Sequence, residues 1–176
     1  MAFDAFADFR MAGHSAIVTG GAQNIGEAIA RSFSGAGAKV MIADLNGDKA
    51  EETAKRIAAD TGGEVLGMGC DVTKKADIDA CVNRAAEAFG GISTLVNNVG
   101  WGRAYPDPLA VSPEDMIESY KLNTLSGMQM TAACRPWLEK AENATVTNSG
   151  SLVGFLPAFD FIAYSAAKAG LNHMML

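Results

Sequence analysis

Residues 15–26 read SAIVTGGAQNIG. Residues 15–20 form a short β-branched run closed by glycine, the pattern of a buried strand. From residue 25 to 36 the spacing turns helical, with Ile25, Ala28, Ile29, Ser32 and Phe33 on one expected inner face. Gly37 is the expected stop. A strand that turns through glycines into a helix can hold a phosphate. Glycine allows the sharp turn and a close approach, and the first helical N–H groups aim a positive dipole end at the anion. Gly20, Gln23, Asn24, Ile25 and Gly26 are the candidate residues of that turn.

The strand–helix alternation continues outward from this unit. Apolar strands are predicted at 39–44, 64–71, 93–98 and 143–150. Helices are predicted at 48–61 and 74–89, each stopped by a glycine pair, then from 113 to about 140, with a last one starting near 159–162. Ser112 is placed to cap the long helix, Pro113 suits its first position, and Glu114 and Asp115 favour its positive end. Five such units imply an α/β fold, a doubly wound Rossmann-type parallel sheet whose strands are buried on both faces. No linker or charge block divides the chain, so residues 1–176 are read as a single domain.

Composition removes several function classes. The 176 residues are 49% hydrophobic and 19% charged, which is globular rather than disordered. A formal charge of -6 is repelled by nucleic acid and supplies no basic patch for an anionic membrane surface. No apolar run approaches the length of a membrane span, and MAFDAFADFR is not a secretory signal. Cys70, Cys81 and Cys134 lack metal-ligand spacing, so neither a metal site nor a disulfide framework is expected. Such cysteine usage suits the cytoplasm. Phe3, Phe6 and Phe9 offer an apolar stripe that packs on the body of the protein or on a partner.

The second strand ends in Asp44. A carboxylate there can accept both hydroxyls of an adenosine ribose, and it repels the extra phosphate of NADP. Neighbouring Leu45 and Asn46 offer no positive charge to receive that phosphate. The expected cofactor is therefore NAD.

Of the three tyrosines, only Tyr164 has a lysine four residues on, Lys168. On a helix the two share a face. An ammonium beside a phenol favours the phenolate, which suits a general acid/base. An incidental Tyr and Lys on a surface helix is the plain alternative. Ser151 adds weight: it follows the fifth strand, where parallel sheets place their sites, and could hold a substrate carbonyl oxygen. Ser149 is the competing hydroxyl.

Taken together, these residues resemble the short-chain dehydrogenase/reductase family in its compact NAD-type form, over residues 12–176. TGGAQNIG is similar to its glycine turn, Asp71-Val72 to its adenine-contacting pair, and NNVG, with Asn98 and Gly100, to the motif after its fourth strand. Asn123 matches its helix asparagine, and Ser151 precedes Tyr164 by the usual thirteen residues. The resemblance implies that Tyr164 exchanges a proton with an alcohol–ketone couple while a hydride passes to or from NAD. It further implies that Lys168 assists Tyr164, that both contact the cofactor, and that Lys168 holds the nicotinamide ribose. Ser151 would orient the substrate oxygen, and Asn123 would hold a relay water. Leu45 joins the expected cofactor contacts. A homodimer or homotetramer is the implied assembly.

Three departures from the family pattern are local: Asn24 and Val99 stand for a glycine and an alanine, and Gly150 for a serine. A larger one is length. Such domains run to roughly 250 residues, with two strands beyond the Tyr/Lys helix, so five strands of an expected seven are present. The 176 residues are thus expected to be a fragment with little turnover by itself. The alternative is a truncated, non-catalytic dinucleotide-binding module. Trp101, Phe155, Leu156 and Phe159 suggest an apolar substrate, unless they are core residues. The N-terminal layout and the loop after NNVG resemble bacterial hydroxysteroid dehydrogenases and 3-oxoacyl reductases.

Overall fold

The structure, a computed structural model, describes residues 9–156 and 158–174. Five parallel strands make its sheet: β1 (Ser15–Thr19), β2 (Lys39–Asp44), β3 (Val65–Gly69), β4 (Thr94–Asn97) and β5 (Thr145–Asn148). Across the sheet they run β3-β2-β1-β4-β5. The chain builds outward from β1 to β3, then crosses back and builds the other side from β4. The reversal lies between β1 and β4, and a crevice opens beyond the carboxyl ends of the strands at such a point.

Among the described residues six helices cover the sheet: α1 (Asn24–Gly35), α2 (Gly47–Thr61), α3 (Lys75–Phe89), α4 (Pro113–Tyr120), α5 (Ser126–Leu138) and α6 (Ile162–Met174). Strand alternation sends neighbouring side chains to opposite faces. Ile17, Met41 and Leu95 stand in register and pack under α3 and α5, with Ile78, Cys81, Met130 and Cys134. Val18, Ile42 and Val96 stand in the next row and pack under α1 and α2, with Ala30, Ala50, Ala54 and Ile57. Each such buried aliphatic side chain contributes roughly 1.5–3 kcal/mol.

Helix ends follow the expected chemistry. Asn46 caps α2 by accepting from the Lys49 N–H, and Ser112 caps α4 by accepting from the Asp115 N–H. Gly62 and Gly90, at φ 72° and 83°, close α2 and α3 in the left-handed region.

Two expectations need correction. The inner face of α1 is Gly26, Ala30 and Ser34, with Ile29 and Phe33 half-buried; Ile25, Ala28 and Ser32 are exposed. Small residues lie against the sheet because the helix approaches it closely, and Ile25 turns to the crevice instead. The long helix from 113 to about 140 is interrupted by a π-turn, Lys121–Leu125, in which the Ser126 N–H donates to the Lys121 carbonyl. As expected, the last helix starts within 159–162: a tight turn at Phe159–Phe161 leads into α6 at Ile162. Among the described residues β5 is the sheet edge, with Thr145 and Thr147 exposed. Phe3 and Phe6 lie outside the described residues, while Phe9 is exposed.

Candidate active site

Where the sheet reverses, a cleft of about 550 Å³ opens. The glycine turn forms one wall with Gly20, Gln23, Asn24, Ile25 and Gly26. Asp44, Leu45, Asp71 and Val72, from the ends of β2 and β3, form the second. Asn98 and Gly100 close it beyond β4, so every residue expected of the glycine turn, the two strand ends and NNVG lies on one surface. Cys70 and Leu122 line it too, unforeseen from sequence. Cys70 is legible in hindsight as the neighbour of Asp71. Leu122 is not, because the π-turn sets its direction.

Local geometry explains the turn. Asn24 takes φ 51°, a left-handed angle that asparagine tolerates better than most residues. A Cβ at Gly26 would collide with the Gly20 carbonyl, so α1 can start this close to β1 only with glycine there. Asp44 is oriented by two backbone donors: Ala22 N–H to Oδ2 and Asn46 N–H to Oδ1, both 3.1 Å. Each carboxylate oxygen keeps a lone pair for another donor. Asp71 accepts from the Thr73 hydroxyl at 2.7 Å, which holds its carboxyl below the usual range, and it pairs with Lys74. These residues fit a dinucleotide: bare backbone where phosphates need close approach, a fixed carboxylate, and apolar Leu45 and Val72 beside it.

The catalytic candidates meet on the far side of the loop after β4. Asn98 donates to the Thr19 and Gly20 carbonyls and accepts from the Ser149 hydroxyl at 3.2 Å. The Ser149 carbonyl in turn accepts from Lys168 Nζ at 2.7 Å. A hydrogen-bonded path thus runs from the glycine turn to Lys168. Ser149 contributes its backbone and hydroxyl to this frame, a part that sequence gave no way to see.

Lys168 is 2% exposed, and burial pushes its ammonium below the ordinary lysine value. Its Nζ lies 5.8 Å from the centre of the Tyr164 ring. Tyr164 is held from the loop side: a Cβ on Gly102 would lie 2.8 Å from its Cγ. Asn123, in the π-turn, clamps the same loop. It accepts from the Trp101 N–H and donates to the Trp101 carbonyl, both at 2.9 Å. Next to it, Thr124 donates to the Ala167 carbonyl at 2.7 Å and fixes α6.

Ser151 stands just before the turn Leu152–Gly154. Gly154 lets that turn lie on α6, since its Cβ would come 3.0 Å from the Lys168 carbonyl carbon. Among the described residues, neither the Ser151 nor the Tyr164 hydroxyl has a hydrogen-bond partner. An unpartnered phenol whose ring lies beside a buried ammonium can exchange a proton with an oxygen, and the unpartnered Ser151 hydroxyl can hold one. Around them Trp101, Phe155, Leu156 and Phe159 are all exposed, so none is a core residue. The loop also lines a smaller cavity of about 120 Å³ with Trp101, Arg103 and Tyr105, where Arg103 pairs with Asp115.

The three cysteines are free and buried. The Cys81 thiol holds Cys70 below its usual range, and burial pushes Cys134 up to about 12. No described helix is long and apolar enough to cross a membrane.

The sequence matches the family described as short chain dehydrogenase over residues 14–176. It is 37% identical over 174 residues to a 2,5-dichloro-2,5-cyclohexadiene-1,4-diol dehydrogenase of Sphingobium indicum, covering 94% of this chain and 65% of that protein. To the 4-formylbenzenesulfonate dehydrogenase of Comamonas testosteroni it is 39% identical over 160 residues, covering 90% and 63%. Its fold matches a solved 7α-hydroxysteroid dehydrogenase complexed with NADH and 7-oxo glycochenodeoxycholic acid, with a TM-score of 0.90 at 29% identity. That match covers 98% of this chain and 66% of the other. The chain therefore spans about 65% of the length of the first of these relatives.

Proposed function

The chain belongs to the short chain dehydrogenase family, and on that premise we propose that the whole protein is an NAD-dependent oxidoreductase interconverting a secondary alcohol and a ketone. One observation carries this reading. The cleft that fits a dinucleotide and the corner holding Tyr164 and Lys168 are joined by the loop from Asn98 to Gly102.

NAD, when bound, supplies the hydride acceptor or donor. Gly20 through Gly26 hold its phosphates, Asp44 and Leu45 its adenosine ribose, and Asp71 with Val72 its adenine. Asn98 and Gly100 lie toward the nicotinamide end. Asp44 gives the preference for NAD over NADP, because a second anion beside a fixed carboxylate is repelled. Ser151 orients the substrate oxygen, and Tyr164 gives or takes the proton at that oxygen. The Lys168 ammonium favours the phenolate and holds the nicotinamide ribose. Asn123 keeps the Gly100–Trp101 turn in place and seats a relay water.

We take the substrate to be an apolar secondary alcohol or its ketone, a hydroxysteroid or a 3-oxoacyl compound. Support comes from the exposed apolar loop residues and from a structural relative whose name includes a hydroxysteroid. Exposed Ile117, Met128 and Ile162 on α4, α5 and α6 support a homodimer or homotetramer, and free buried cysteines support a cytoplasmic setting.

The test is a screen of the full-length protein against secondary alcohols, steroids and ring diols included, with NAD and NADP compared. Reduction of NAD by one of these alcohols is expected. Tight NADH binding with no turnover of any alcohol would instead favour a non-catalytic dinucleotide-binding module.

A further inference from the structure

We propose that Lys49 is a specificity-determining residue at the rim of the nucleotide cleft, reducing the rejection of a 2′-phosphorylated adenine nucleotide that Asp44 imposes. The inference rests on the reading of that cleft given above. Its starting point is a contact that joins two elements across the cleft rim. Lys49, in the first turn of α2, extends its ammonium to the Gln23 side-chain oxygen in the glycine turn, at 2.6 Å.

A closed circuit of hydrogen bonds fixes where this charge sits. Asp44 accepts from the Ala22 N–H, and Gln23 follows Ala22 in the chain. Gln23 accepts from Lys49 Nζ. The Lys49 N–H donates to the Asn46 side chain, and the Asn46 N–H donates back to Asp44. Carboxylate and ammonium therefore belong to one small ring on the same rim. Gln23 and Asp44 both line the cleft.

Neighbouring cations differ from Lys49 in their partners. Arg56 is engaged with Glu27, and Lys74 with Asp71. The partner of Lys49 is a neutral amide, so contact leaves its charge uncancelled. By sequence, Leu45 and Asn46 flank Asp44 without a positive charge, and in the fold Asp48 joins Asp44 on the same rim. Folding brings a positive charge onto the same rim from α2. A phosphate on the ribose beside Asp44 meets repulsion from Asp44 and Asp48 and attraction from the ammonium. Discrimination against that phosphate is then smaller than the carboxylates alone would impose, and its size depends on Lys49.

Binding distinguishes this without any need for turnover. Dissociation constants for 5′-AMP and adenosine 2′,5′-bisphosphate, and for NADH and NADPH, are measured by calorimetry at low salt. Wild type is compared with Lys49→Gln, Lys49→Arg and Asp44→Asn. Lys49→Gln is expected to shift the ratio of the two constants about 2- to 5-fold against the phosphorylated nucleotide, the scale of one exposed charge contact. Lys49→Arg should keep the wild-type ratio, and Asp44→Asn should shift it the other way. Raising the salt should shrink the Lys49 effect. An unchanged ratio in Lys49→Gln overturns the inference while leaving the cleft reading intact. So does an equal loss for both nucleotides, which would make Lys49 a general support of the turn. Failure of wild type to bind any of the four nucleotides overturns both.

Discussion

At the glycine-turn rim, nearly every polar side chain is tied to a neighbouring backbone: Asp44 to Ala22 and Asn46, Asn98 to Thr19 and Gly20, Asp71 to Thr73. At the corner below it, the Ser151 and Tyr164 hydroxyls have no partner among the described residues. Lys168 is buried there with a carbonyl and a ring beside it. One region holds its groups still for a ligand to dock. The other leaves its reactive groups open and spends its contacts on their backbones. Removing a group should therefore do different things in the two places, loss of chemistry in the corner and loss of binding in the rim.

The largest expected effect is Tyr164→Phe. A positioned general acid/base contributes about 10²–10⁴-fold, so turnover by the full-length protein should fall by that much. NADH affinity, measured by fluorescence titration, should hold within about twofold, since the phenol makes no hydrogen bond that orders the cleft. Equal losses in both would show that corner and rim do not act separately.

Next comes Gly26→Val, which attacks the rim. The new side chain meets the Gly20 carbonyl and must push α1 away from β1. Overpacking of this kind costs about 1–3 kcal/mol. NADH binding should weaken about 10- to 100-fold, by the same arithmetic. Thermal melts and titration together check it. A stable variant that still binds NADH would mean that the turn yields where the geometry says it cannot.

The same contrast explains what was legible in the sequence. The rim is local: Gly20 to Gly26 is one short segment, and Asp44 and Asp71 mark strand ends. Strand and glycine patterns place such residues without knowledge of packing. Tyr164 and Lys168 were also legible, because helical spacing alone puts them on one face. What brings them to the cleft was not. The π-turn that aims Asn123 and Leu122 has no sequence signature, and the Ser149 carbonyl is a backbone group. The misjudged face of α1 has a related cause. Periodicity weighs side chains by hydrophobicity, whereas Gly26, Ala30 and Ser34 face the sheet because they are small.

A pH experiment sharpens the account of the corner. Folding buries the Lys168 ammonium, so the folded chain binds that proton less tightly than the unfolded chain. Between the lowered value and the ordinary one near 10.5, the unfolded state carries more protons, and stability rises with pH. Below that window the penalty is fully present; above it the penalty is gone. Lys168→Met removes the group, so wild type should gain stability relative to the variant as pH climbs toward 10.5. The slope is at most about 1.4 kcal/mol per pH unit. Denaturation curves for both proteins across that range decide it. Parallel pH dependence would mean that the ammonium is better solvated in the fold than its burial implies.

The smallest effect tests the open edge of the corner. Phe159 is 83% exposed on the turn before α6, with Phe155 and Leu156 exposed nearby. Nothing in the fold is held by that ring, so Phe159→Ser should change stability by no more than about 0.5 kcal/mol. NADH affinity should not move, because the residue is absent from the nucleotide cleft. If the loop receives an apolar substrate, KM for a steroid alcohol should rise about 5- to 30-fold, the worth of roughly 1–2 kcal/mol of apolar contact, while kcat stays near wild type. A drop in kcat with KM constant would instead place the ring against the reacting centre. A fall in melting temperature beyond about 4 °C would show that the loop is packed rather than open.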